Sequence, residues 1–355
     1  MRFFYLVCLL FIAVPLGLAG CQLAKGESNV KQYTHAYLER DLTTEEMKHF
    51  QEKRWLYQLQ ELDLDEAQKS GTSIMVMEPV LGGVKDKKFS KQEIQQLKDQ
   101  GITPIAYLSI GEISHFQTRW QEEWGEFNGQ KLKVSKRAPQ WIGKVPNKDW
   151  PEGVKVRYWK EDWWELVKED LDEIMDLGYE GVYLDIIDAF EYWGNEDTYG
   201  FFKEKKYGSD PASEREAAER MIQFVQRLSM YAKHKESEFK IVPQNGENIL
   251  EYDDHEEYLE YVDGIGVEDV WFDEEKPQSE SFTEERLSHL EKFVEEGKFV
   301  LSVDYVDNGK GYSGANKDRI NAYIASCLSQ GFYCYPALTN RELDEFRVIE
   351  EIKGQ

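Results

Sequence analysis

Short runs rich in β-branched and aromatic residues alternate along the chain with segments of helical period, and this alternation constrains the fold more than any other feature. The runs cover residues 55–60, 73–79, 104–110, 181–188, 240–244, 264–270, 299–306 and 331–337. Between them, 91–100, 163–177, 213–233, 283–296 and 316–329 place apolar residues three and four apart, as an amphipathic helix requires. Several helical segments end at a glycine just before the next run, at Gly101, Gly178, Gly297 and Gly331. Alternation of helix, glycine and strand with eight strand signals predicts a (β/α)8 TIM barrel rather than a doubly wound sheet.

One connection breaks the rhythm. Residues 113–160, after the third run, are rich in Trp, Pro and Gly and read as largely irregular; a loop of that length in a barrel points to function. Nine of the ten tryptophans lie between Trp120 and Trp271, six of them in or just after this insertion. Flat rings beside carboxylates suit a carbohydrate cleft, although a long insertion also needs a small core of its own.

The amino terminus has a different character. Met1 and Arg2 precede an apolar run over 3–16, too short for a comfortable membrane span and shaped like an export signal. Leu18-Ala19-Gly20-Cys21 resembles a bacterial lipobox, which implies a signal peptide over 1–20 and lipid attachment at Cys21. Residues 21–32 then read as a polar tether, and 33–355 as a single domain. The anchor is the expected membrane contact. Cys327 and Cys334, seven residues apart, fit either a disulfide or two buried thiols. A formal net charge of -25 argues against nucleic acid as a partner, since phosphate binding needs a basic face.

In a TIM barrel, residues at the carboxyl ends of the strands converge on one mouth. Here those residues are mostly acidic: Glu78, Glu112, Asp185, Asp188, Glu247, Glu268, Asp269 and Asp304, with Gln244 and Asn245 among them. In Gly181-Val-Tyr-Leu-Asp185, strand alternation puts Asp185 opposite Val182 and Leu184, facing the barrel interior. A carboxylate there is costly unless engaged, which makes it a functional candidate. Glu268 has the same character two strands on. Two carboxyl groups across a glycosidic bond suffice for hydrolysis, one as nucleophile or base and one as acid, so no cofactor is expected. Rival chemistries lack their motifs. There is no HExxH and no GxSxG; Asp253–Glu257 reads as a charged helix face rather than a metal site, and the GxGxxG match at 309–314 as a plain loop.

Several pieces together resemble the endo-α-1,4-polygalactosaminidase family, glycoside hydrolase family 114. They are Trp55-Leu-Tyr-Gln-Leu-Gln60, Ala106-Tyr-Leu-Ser-Ile-Gly-Glu112, Val156-Arg-Tyr-Trp159, Gly181-Val-Tyr-Leu-Asp185, Gln244-Asn245 and Gly266-Val-Glu268. The resemblance implies Asp185 as nucleophile and Glu268 as acid/base in a retaining, endo-acting enzyme. Glu247 is a rival for the acid. Glu112, Asp188, Gln244, Asn245, Glu247, Tyr107, Trp159 and Asp304 form the expected substrate-binding set. The implied substrate is an α-linked galactosaminyl polymer, cationic where it has lost acetyl groups and so attracted by an acidic cleft. A lipoprotein that binds polysaccharide without cutting it, and an α-glycosidase for neutral sugars, are the alternative readings. The fungal members carry Asn-Glu-Gln-Cys where this chain has Val267-Glu268-Asp269-Val270.

Overall fold

The computed structural model describes residues 40–79, 88–345 and 347–352. The expected signal peptide, Cys21 and the tether lie outside the described residues. All eight strands are present: β1 Trp55–Gln58, β2 Ile74–Met77, β3 Thr103–Ser109, β4 Gly181–Asp185, β5 Lys240–Pro243, β6 Gly264–Glu268, β7 Phe299–Asp307 and β8 Tyr333–Leu338. They pair in parallel as two arcs, β1-β2-β3-β4-β5 and β6-β7-β8. Single parallel bridges, Gln244 to Gly266 and Arg54 to Cys334, join the arcs at the two seams and complete the barrel.

The helix–glycine–strand grammar has a visible cause. The helix Lys91–Asp99 opens on a capping box in which Ser90 and Glu93 satisfy each other's backbone N–H groups. At the other end of the repeat, Gly178 closes the helix Glu161–Leu177 with φ 92°, and its N–H reaches back to Ile174 and Met175. A side chain would be strained in that left-handed cap, and the turn it makes delivers the chain directly into β4.

Aromatic rings fill the barrel. Trp55 stacks on Tyr57 with centroids 5.9 Å apart, Tyr57 meets Tyr183 at 5.3 Å, and Tyr335 sets its edge to Trp55 at 6.0 Å. Gly266 makes room for them, because a Cβ there would lie 1.9 Å from the Tyr183 hydroxyl. These inward positions share the register that carries Asp185 and Glu268 to the mouth.

Two expectations need correction, and one alternative left open is decided. Residues 113–160 are not mainly irregular: Glu112–Ser114, Gly153–Val156 and Ile142–Pro146 form an antiparallel sheet, and Gly125–Phe127 pairs with Leu132–Val134. Strands of three to five residues are too short to show alternation. Most of the insertion's tryptophans also build its own core rather than a cleft. Trp120, Trp124, Trp141 and Trp163 are buried and meet in sequence at 5.7, 5.3 and 5.0 Å. Finally, Asp253 to Glu257 is a turn rather than a helix face, with Asp253 accepting from the N–H groups of Glu257 and Tyr258. Cys327 and Cys334 form a disulfide that ties the helix Gly314–Ser329 to β8.

Candidate active site

Asp185 and Glu268 are the last residues of β4 and β6, with β5 between them. At about 4.8 Å per strand spacing, their backbones stand roughly 10 Å apart across the mouth, and inward-pointing side chains narrow that gap. Each carboxylate accepts a hydrogen bond from a tyrosine on the neighbouring strand. Tyr107 of β3 donates to Asp185, and Tyr305 of β7 donates to Glu268.

The second oxygen of Glu268 takes the Asn245 amide at 3.2 Å, while the Asn245 carbonyl oxygen accepts the Glu268 N–H at 3.1 Å. Arg286, from the helix Glu280–Glu295, binds the Glu247 carboxylate, the Glu268 backbone carbonyl and, at 3.2 Å, the Asn245 side chain. The β5 and β6 ends are therefore cross-tied around one carboxyl group.

Burial pushes the Asp185 carboxyl up to about 7; the Glu268 and Asp188 charges add to the rise and the Tyr107 hydroxyl opposes it. Glu78, one residue past β2, points to the same mouth. Burial, with Asp170 and Asp185 nearby, carries it up to about 8 against the pull of Arg119. Two buried polar atoms between the carboxylates, Gln244 Oε1 and Tyr183 Oη, have no protein partner. Such orphans are uncommon inside proteins, and a water or a substrate hydroxyl would satisfy these two. Among the described residues, no group of three or more His, Cys, Asp or Glu side chains is arranged to hold a metal ion.

The model of glycoside-hydrolase family GH114 matches residues 39–354. The chain belongs to that family. It is a glycoside hydrolase. Its relatives include an uncharacterised protein, MJ1477, of Methanocaldococcus jannaschii, 38% identical over 82% of this chain and 77% of that one. An uncharacterised Thermotoga maritima protein is 36% identical over 84% of each. In three dimensions the chain resembles the glycoside hydrolase domain of PelA from Pseudomonas aeruginosa, with TM-score 0.57, 18% identity, and coverage of 83% of this chain and 98% of that one. It also resembles Aspergillus fumigatus Ega3, solved in complex with galactosamine, with TM-score 0.54, 16% identity, and coverage of 83% and 95%. At these identities the likeness is one of fold.

In this GH114 enzyme the expected site residues divide into two groups. Asp185, Glu268, Tyr107, Gln244 and Asn245 come together at the mouth, and Asp188 stands exposed at its edge. The others have structural duties. Asp304, expected to meet substrate, is fully buried and points away from the interior; it accepts the N–H groups of Val270, Trp271 and Phe272 at 2.8 to 3.0 Å, which shapes the loop after β6. Glu247, the rival acid, is buried against Arg286. Glu112 is buried and held by Lys155 at 3.1 Å and Asn147 at 2.8 Å, tying the insertion sheet to the mouth. Trp159 is half-buried, edge-on to Tyr158 and Trp193.

Tyr305, Arg286 and Arg341 escaped the sequence reading. Arg341 lies over the Tyr305 ring at 4.3 Å and pairs with Asp269 at 2.7 Å, pinning the tyrosine that holds Glu268. Alternation along β7 contained part of the message, since Val303 and Tyr305 share one face and Asp304 takes the other.

Proposed function

We propose that this GH114 enzyme is a retaining endo-hydrolase of α-1,4-linked galactosamine polymers, exported and held to a membrane by lipid on Cys21. The observation that carries the reading is the pair of tyrosine-held carboxylates at the ends of β4 and β6, facing one mouth.

Asp185 attacks the anomeric carbon as the Glu268 carboxyl gives its proton to the departing glycosidic oxygen, leaving a glycosyl ester on Asp185. Glu268, now a carboxylate, takes a proton from water. That water attacks the same carbon, and Asp185 leaves with the bonding electrons. The Glu268 and Asp188 charges act on Asp185, and Asp185 in turn acts on Glu78. An ammonium-bearing sugar entering the mouth favours the ionised form of Asp185, the form the first step needs. A neutral sugar supplies no such charge. The likeness of fold to a protein crystallised with galactosamine supports the same substrate class.

The test is reducing-end release from α-1,4-linked polygalactosamine by the domain lacking residues 1–21, with the anomer of the first product read by NMR. Wild type should release oligosaccharides of retained configuration, and Asp185→Asn and Glu268→Gln should remain folded and be nearly inactive. Undiminished activity in Asp185→Asn would remove it as nucleophile. Detergent partition of the full chain, lost in Cys21→Ser, tests the anchor.

A further inference from the structure

The insertion buries three of its tryptophans but leaves two rings in the open. Phe116 is 41% exposed and Trp150 is 49% exposed. They come from different turns yet meet edge to face, with centroids 6.3 Å apart and planes at 80°. Neither is a loose surface residue. The Trp150 indole N–H donates to the Ser114 hydroxyl at 3.2 Å, and His115 packs edge-on to Phe116 at 5.7 Å while stacking on Phe127 at 4.7 Å. The fold thus fixes the two rings together yet leaves nearly half their surface in water, so they present one preformed aromatic face.

Their position gives the surface a direction. Phe116 lines a cavity of about 70 Å³ that also has Tyr107 and Glu78 on its walls. Tyr107 is the residue that donates to Asp185. A line therefore runs from the nucleophile through Tyr107 and the cavity to Phe116, and outward to Trp150. Glu78, Asp170 and Glu173 line that cavity together with Lys88, and Asp170 is paired with Arg119 at 2.8 Å. Sugar C–H faces pack on flat rings, and ammonium groups are attracted to aromatic faces. Both fit one occupant.

We propose that Phe116 and Trp150 form an accessory platform for units of a cationic amino-sugar polymer beyond the bond being cleaved, so that the enzyme favours long chains. This rests on the galactosaminidase reading above for the nature of the chain, and it adds where the chain runs.

The experiment compares wild type, Phe116→Ala, Trp150→Ala and the double variant on long α-1,4-linked polygalactosamine and on its trisaccharide, alongside mobility in gels containing the polymer. In the double variant, KM for the polymer should rise roughly tenfold with kcat held, trisaccharide hydrolysis should be unchanged, and retardation in the gel should be lost. Trp150→Phe, which keeps a flat ring, should retain most of the polymer affinity; this separates stacking from any misfolding of the alanine variants. Equal losses on polymer and trisaccharide, or no loss on either, would overturn the platform. If wild type cleaves neither substrate, the galactosaminidase reading fails and the gel alone decides: retardation of wild type but not the double variant upholds the platform, and an unretarded wild type overturns it.

Discussion

Replacing Tyr107 by phenylalanine removes one hydroxyl and tests how the mouth governs its nucleophile. That hydroxyl donates to Asp185 and opposes the rise that burial imposes on it. A hydrogen bond to a charged group contributes about 1.5–3 kcal/mol, and one pH unit corresponds to about 1.4 kcal/mol, so the variant's Asp185 should titrate about one to two units higher. Wild-type Asp185 sits at about 7. The nucleophile must be ionised, so activity is lost as pH falls through that value, and in the variant the loss should begin at roughly pH 8 to 9. At pH 7 the ionised fraction drops from about one half to between roughly one and ten per cent, a five- to fiftyfold deficit. The assay is kcat/KM against pH, which reports the free enzyme. The deficit should shrink as pH rises. An acid limb still near 7, with a deficit that does not change with pH, would refute the assignment of Tyr107 to the ionisation of Asp185.

Two further outcomes concern the scaffold. Arg157 is fully buried and donates to Asp210 at 2.8 and 3.1 Å, to the Gln140 carbonyl at 3.0 Å and to the Lys205 carbonyl at 2.8 Å, with its guanidinium 4.3 Å from Trp193. Arg157→Ala strands the Asp210 charge and should cost about 3–5 kcal/mol in denaturant unfolding, with Arg157→Lys unable to restore the planar fork; a loss under 1 kcal/mol contradicts this. The Cys327–Cys334 disulfide closes a loop with a sequence separation of 7, worth about 2–3 kcal/mol by chain entropy, so reductant should lower the thermal midpoint; an unchanged midpoint means the reduced helix and strand pack equally well.

The fold was legible because its rule is local: several helices end at or just before a glycine, and most strands carry enough Val, Ile and Tyr to be recognised within a few residues. Asp185 was legible for the same reason, since alternation within β4 shows which way it points. Asp304 misled because its charge drew more notice than its parity, and Tyr305 beside it faces the site. Arg286 and Arg341 could not be read at all. Their partners lie 18 to 72 residues away, and nothing in a surface-type arginine on a helix or loop announces such a reach. The tryptophans divided on a similar point, because composition says how many rings an insertion holds but only the register of its short strands decides which one stays outside.

Asp185 ends β4 and Glu268 ends β6, and the joint between β5 and β6 beside them is crossed by backbone hydrogen bonds from Asp263 to Ile241 and from Asn245 to Gly266 and by the Asn245 and Arg286 clamp. The spacing that decides between direct attack and an interposed water is therefore tuned at that joint, as much by the arginine bolting it as by the two acids themselves.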